Sequence, residues 1–88
     1  MGMADDNVYC EVEVSGRRFR VMYETSGNFA GMVHIFDLGM PKHRNMDVVL
    51  SGSAFVNGQL VVNDEDIFEP IEGLIRAAEA ALSRKLLN

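Results

Sequence analysis

A chain of 88 residues is too short for two separate hydrophobic cores, so the sequence predicts a single domain. Hydrophobic residues make up 48% of the chain and charged residues 24%, which excludes a disordered chain, and no apolar stretch approaches the roughly 18 residues of a membrane span. The formal net charge of -5 opposes binding to nucleic acid, except through a local basic patch.

The N-terminal residues indicate a mobile tail and the cellular compartment in which the protein is expected. Asp5 and Asp6 stand where a secretion signal carries basic residues. Cys10 has no second cysteine with which to form an internal disulfide, as is usual in a reducing compartment. We therefore expect a cytoplasmic protein with a mobile tail at residues 1–7 and one folded domain at residues 8–88.

The first predicted element is a β-hairpin. Residues 8–14 alternate apolar and polar side chains, which is typical of a strand with one buried face, and Ser15-Gly16 predicts a two-residue turn. Counting outward places Val14 opposite Arg17, Glu13 opposite Arg18, Val12 opposite Phe19, Glu11 opposite Arg20 and Cys10 opposite Val21. This register predicts outer-face ion pairs of Arg18 with Glu13 and of Arg20 with Glu11, and it leaves Arg17 without an acidic neighbour.

Three further strands are predicted at residues 29–38, 48–56 and 59–62. Gly31 is a candidate bulge site in the third strand. Asn57-Gly58 is a strong hairpin signal between the last two strands, and it places Phe55 opposite Leu60 and Ala54 opposite Val61. Both faces of this second hairpin are apolar, so we expect it to lie in the centre of the sheet or to be covered on both sides.

The chain closes with a predicted helix. Asp66 is a candidate N-cap, Glu69 has the spacing of a capping box, and Pro70 falls in the first turn. Apolar residues recur at steps of three and four: Ile67, Phe68, Ile71, Leu74, Ile75, Ala78, Leu82 and Leu86. The sequence therefore predicts an α+β fold, an antiparallel meander of about five strands with one long C-terminal helix packed on one face.

A second stripe on the predicted helix consists of small residues: Gly73, Ala77, Ala80 and Ala81. Small side chains let another backbone approach closely, so these residues are a candidate helix-to-helix contact in a homodimer. The alternative is that alanine is present here because it is the strongest helix former.

No residue set has the spacing of a catalytic, metal or cofactor signature. His34, His43 and Cys10 are too far apart in sequence to form a short ligand motif, and the acidic residues 63–66 fit a helix start better than a calcium loop. Ser51-Gly52-Ser53 is not a nucleophile elbow, and the sequence places no histidine and acid beside it. We therefore predict a protein that is not an enzyme and has no cofactor or metal.

Basic residues cluster in the middle of the chain. Residues 17–44 hold five basic residues and two acidic ones. They define a candidate anion or nucleic-acid patch that consists of Arg17, Arg18, Arg20, Lys42 and Arg44. The predicted order of elements in residues 8–87 resembles that of coactivator-type and Whirly-type single-stranded-DNA binders, which dimerise through their helices. Those proteins stack bases on exposed aromatic side chains, and here only Tyr9 is a candidate for that role.

Two functions follow from these observations. The first is a homodimeric protein–protein interaction module, in which the apolar second hairpin or a strand edge receives a protein partner. The alternative is a weak binder of single-stranded nucleic acid or another anion that uses the basic patch. The sequence does not identify the partner.

Overall fold

The computed structural model describes residues 7–39 and 47–87. The elements are β1 (Val8–Val14), β2 (Arg17–Tyr23), β3 (Met32–Asp37), β4 (Val48–Val56), β5 (Gln59–Val61) and α1 (Leu74–Leu87), with short 3-10 segments at Gly27–Phe29 and Asp64–Asp66. The strands pair in chain order as one antiparallel sheet, so the predicted meander followed by a C-terminal helix is confirmed. Residues 1–6 of the predicted tail lie outside the described residues, and so do Lys42, His43 and Arg44.

Both hairpin turns have the backbone that a right-twisted hairpin requires. Ser15 and Gly16 have φ of 53° and 78°, and Asn57 and Gly58 have φ of 54° and 82°. Two successive positive φ angles are characteristic of a type I′ turn, which fixes the register of the strands on either side. The predicted pairings are confirmed, from Val14 opposite Arg17 to Cys10 opposite Val21 in the first hairpin, and for Phe55 with Leu60 and Ala54 with Val61 in the second.

The sheet curls into a half-barrel at β4. The register between β3 and β4 shifts twice, because two residues of β4 face one residue of β3 at each shift. One shift contains Gly52, which has φ of 77°. Bulges of this kind bend a strand and increase its twist. The predicted bulge at Gly31 is confirmed at the start of β3, on its β2 side. The Gly31 amide donates to the Glu24 carbonyl at 2.7 Å and the Glu24 amide donates to the Met32 carbonyl at 3.0 Å, so two residues face Glu24, and Gly31 has φ of 90°.

The helix α1 closes the concave side of the half-barrel. Leu74, Ala78 and Leu82 are buried on it, as their periodicity predicts, and they face a core formed by the inner side chains of the sheet. The core side chains of the sheet are Phe19, Val21, Val33, Ile35, Val49, Leu50 and Leu60. Within residues 7–39 and 47–87, no helix has both the length and the hydropathy needed to cross a bilayer.

The second hairpin lies at the edge of the sheet, so its predicted central or doubly covered position is wrong. Val56 and Val61 are exposed on the outer face, and β5 pairs with β4 on one side only. The other side of β5 is covered by α1: the Leu60 amide, which points away from β4, donates to Glu79 Oε2 at 2.8 Å. This bond occupies a donor that would otherwise be free at a strand edge.

The start of α1 differs from the prediction. The helix begins at Leu74, directly after Gly73 with its φ of 87°, and Asp66 ends a 3-10 segment instead of capping the helix. Ile67 is extended and forms a bridge to Leu50, and the Phe68 amide donates to the Val49 carbonyl at 2.9 Å. Pairing with β4 therefore prevails over the local capping signal, and Pro70 disfavours helical backbone at the residue before it.

Candidate binding cleft

The connecting segment, residues 63–73, forms one wall of an apolar cleft. Its first part follows the edge of β4, and after Pro70 it turns towards the first residue of α1. The space that it encloses has a volume of about 350 Å³. Seven aliphatic or proline residues line it, together with Glu69 and Glu72: Val49, Leu50, Ile67, Pro70, Ile71, Leu74 and Ile75. We call this space the β4–α1 cleft, and its volume and apolar lining are typical of a ligand-binding site.

The rim of the β4–α1 cleft is acidic. The connecting segment contains five carboxylates and no basic residue: Asp64, Glu65, Asp66, Glu69 and Glu72. In the part of the chain that the structure describes, Glu69 binds Arg17, and no basic side chain lies within ion-pair distance of the other four. Phe68 projects from the same segment with 60% of its surface exposed. The site therefore combines an apolar cavity, an exposed aromatic ring and a group of four carboxylates that have no ion-pair partner among the described residues.

Arg17 connects the cleft wall to the sheet. Its guanidinium binds the Asp37 carboxylate, donates to Glu69 Oε1 at 2.9 Å and lies 5.3 Å from the centre of the Phe19 ring. The expectation that Arg17 has no acidic partner is therefore wrong, because Asp37 and Glu69 are distant in sequence and adjacent in the fold. The bond to Glu69 holds the connecting segment against the β1–β2 turn.

The two residues of this ion pair have shifted pKa values. Burial acts to raise the pKa of Asp37, but the hydrogen bonds from Arg17 and from the Gly39 amide outweigh it and hold that pKa below its ordinary value. The hydrogen bond to Asp37 is the largest effect that raises the pKa of Arg17, and the hydrogen bond to Glu69 adds to it. Asp37 is only 3% exposed, so its charge depends on these partners.

The other arginines of the candidate anion patch also contact carboxylates. Arg18 binds Glu11, the diagonal neighbour on β1, instead of Glu13 directly opposite as predicted. The predicted pair of Arg20 with Glu11 is confirmed, with Nη2 and Oε2 3.9 Å apart. Lys42 and Arg44 lie outside the described residues, so the patch as a whole stays a prediction. The arginines that the structure places do not form a bare cationic surface.

The small residues of the candidate dimer contact do not share one surface. Ala81 is buried against the sheet, Ala80 is exposed, and a Cβ built on Gly73 would lie 3.7 Å from the Val14 side chain. Ala77 is half-buried between them. The exposed part of the stripe is therefore centred on Ala80.

Cys10 and His34, which the sequence does not group into a ligand motif, lie on opposite faces of the sheet. Cys10 faces the core side, where burial raises the pKa of its thiol against the opposing effect of Lys85 and Arg84, whereas His34 lies on the outer face. No group of three or more potential ligands occurs among the described residues. His43 is outside that part of the chain.

The sequence does not predict the β4–α1 cleft, because its apolar periodicity places residues 67–72 in the helix. Pro70 and Gly73 were the signals that could have indicated a helix start after residue 73. Comparison with models of protein families, with curated proteins and with solved structures finds no match to this chain.

Proposed function

We propose that this protein is a protein–protein interaction module whose β4–α1 cleft binds a basic, apolar segment of a partner. The observation that carries this proposal is the aliphatic cavity of about 350 Å³ enclosed by an acidic connecting segment. An aliphatic or aromatic side chain of the partner fills the cavity, and lysine or arginine residues beside it meet the carboxylates of the rim.

The apolar cavity and the acidic rim contribute to partner binding in different ways. Burial of the partner's apolar side chain contributes most of the affinity, since it removes hydrocarbon surface from water on both sides. The carboxylates of Asp64, Glu65 and Glu72, which have no ion-pair partner within residues 7–39 and 47–87, favour a basic partner and accelerate its encounter, and added salt weakens this effect. Because Ile67 forms a bridge to Leu50 and the Phe68 amide donates to the Val49 carbonyl, the connecting segment is fixed to β4 and the cleft is largely formed before the partner binds.

A titration with a short fluorescein-labelled peptide of leucine and lysine tests the proposal. We expect binding in the micromolar range at low salt, and weaker binding as salt is added. Ile71→Ser on the cavity wall and Glu72→Lys on the rim should each weaken binding at least about tenfold. The matched control is Val61→Ser, which changes an exposed aliphatic residue on the outer face and should bind like the parent.

The control peptide contains leucine and glutamate, and it should not bind. Equal affinity of the peptides, or of the Ile71→Ser and Val61→Ser variants, would contradict the assignment of the cleft as the binding site. Circular dichroism of each variant verifies that it is folded.

We further propose that the module is a homodimer in which two copies of α1 meet at Ala80. Arg76 and Arg84 are exposed on either side of Ala80, so a two-fold contact there brings like charges together. We therefore expect light scattering to give the mass of two chains, with a larger dimer fraction at high salt. The mass of one chain at every protein and salt concentration would contradict the homodimer.

A further inference from the structure

A second cluster, on the outer face of the sheet, joins a serine, a histidine and a glutamate. His34 Nδ1 lies 3.0 Å from Ser51 Oγ, and His34 Nε2 lies 2.6 Å from Glu24 Oε2. The histidine and glutamate side chains are 19% and 22% exposed, so solvent and small molecules reach them. The cluster lies on the opposite face of the sheet from α1 and takes no part in the β4–α1 cleft.

A β-bulge brings these groups together. Val33 pairs with Ser53 and Ile35 pairs with Leu50, so Ser51 and Gly52 both lie opposite His34. Gly52 has φ of 77°, in the left-handed region that favours glycine. Without the extra residue, a regular ladder would place one residue opposite His34 instead of two. Bulges re-aim side chains in this way beside active sites.

The hydrogen bonds define which nitrogen of His34 carries the proton. The Gly52 amide donates to His34 Nδ1 at 3.3 Å, and an amide can only donate, so Nδ1 is an acceptor. The proton of the neutral ring is then on Nε2, where it donates to the Glu24 carboxylate. In this tautomer Nδ1 accepts the Ser51 hydroxyl proton. This is the arrangement of nucleophile, base and orienting acid that activates a serine.

We propose that Ser51 is a nucleophile for acyl transfer and that the cluster hydrolyses small esters with apolar acyl groups. His34 is the general base, and Glu24 is a positioning residue that orients the imidazole and stabilises its protonated form. Met22 is directly opposite His34 on β2, and Met32 and Phe36 flank it on β3. These half-buried side chains offer an apolar surface to the acyl chain.

The overall reaction consumes one ester and one water molecule and releases an alcohol and a carboxylic acid. Ser51 Oγ forms a bond to the acyl carbon while its proton moves to His34 Nδ1; the bond to the alcohol oxygen then breaks, and that oxygen takes the proton from Nδ1. Water next attacks the acyl-serine, passes a proton to Nδ1, and releases the carboxylic acid as Ser51 Oγ regains that proton.

Two measurements on the full chain test this proposal: intact-mass analysis after incubation with a fluorophosphonate probe, and turnover of p-nitrophenyl butyrate. We expect one adduct on Ser51, none in Ser51→Ala, and labelling slowed about 10²-fold or more in His34→Gln. Ser53→Ala is the matched control, because the Ser53 hydroxyl is buried on the inner face and has no partner among the described residues. Its labelling and turnover should equal those of the parent.

The role of Glu24 has a separate readout. In Glu24→Gln the amide oxygen still accepts from Nε2, but the negative charge beside the ring is gone. The next charged group along the outer face of β2 is Arg20, which is paired with Glu11. We therefore expect labelling to slow in Glu24→Gln and to recover in large part in Glu24→Asp, which restores the charge, whereas a merely structural role would leave both variants equally slow. Labelling of Ser51→Ala at the parent rate, or no adduct on Ser51 in the parent, would overturn the proposal.

Discussion

Replacing Leu82 with alanine should lower the free energy of unfolding by about 2–5 kcal/mol. Leu82 is 0% exposed and lies on α1 against the inner face of the half-barrel. Its truncation removes buried hydrocarbon and leaves a cavity that the curled sheet cannot fully close. A domain of this size is stable by only about 4–13 kcal/mol, so this single change removes a large part of the total.

Urea unfolding followed by circular dichroism measures this effect. Val61→Ala is the matched control, since it removes a similar volume of hydrocarbon from an exposed position and should change the free energy of unfolding by about 0.5 kcal/mol or less. A loss below about 1 kcal/mol in Leu82→Ala would mean that α1 does not close the concave side of the sheet.

The second large effect is expected from Arg17→Met, which removes the cation beside buried Asp37. In the parent, the pKa of Asp37 lies below its ordinary value of 3.8, so the ion pair stabilises the fold at neutral pH. That contribution is lost as the pH falls through 3.8 towards the lower pKa of the folded state. In the variant, burial dominates and raises the pKa of Asp37, so the charged carboxylate destabilises the fold at neutral pH.

The direction in which stability changes with pH therefore distinguishes Arg17→Met from the parent. We expect the urea midpoint of Arg17→Met to lie well below that of the parent at pH 7, and the gap to narrow as the carboxylate of the variant protonates in acid. The double variant Arg17→Met/Asp37→Asn is the control, because the introduced amide side chain has no charge to bury and its oxygen still accepts from the Gly39 amide. It should recover much of the lost stability at pH 7. A double variant as unstable as Arg17→Met would contradict the assigned role of the Asp37 charge.

The sequence predicts the hairpins well because their determinants are local. Ser15-Gly16 and Asn57-Gly58 supply the positive φ angles of their turns, and counting outward from each turn gives the pairing. The buried stripe of the helix follows from the spacing of Leu74, Ala78 and Leu82 in the same way. Each of these features depends on residues close in sequence.

The connecting segment could not be predicted in this way, because two structures competed for the same residues. Asp66 and Glu69 have capping-box spacing, and Ile67 and Ile71 fit a helical stripe, so local rules favour a helix. The free edge of β4 offers Ile67 and Phe68 a pairing partner that no local rule contains. The cleft exists because this pairing delays the helix until Leu74.

The polar contacts were missed for a related reason. Arg17 meets Asp37 and Glu69 at sequence separations of 20 and 52 residues, and His34 meets Ser51 at a separation of 17. The contact with Glu69 requires the fold of the connecting segment, and the contact of His34 with Ser51 requires the register shift at Gly52. Neither contact follows from counting residues outward from a hairpin turn.

The proposal that the β4–α1 cleft is the binding site is tested most directly by two-dimensional NMR of the ¹⁵N-labelled protein titrated with the leucine–lysine peptide. We predict that the amide shifts change at Val49 and Leu50 on β4 and across residues 67–75, and that they saturate with the affinity measured by fluorescence. Shift changes confined to the outer face, around Tyr9 and Arg20, or no changes at saturating peptide, would contradict it.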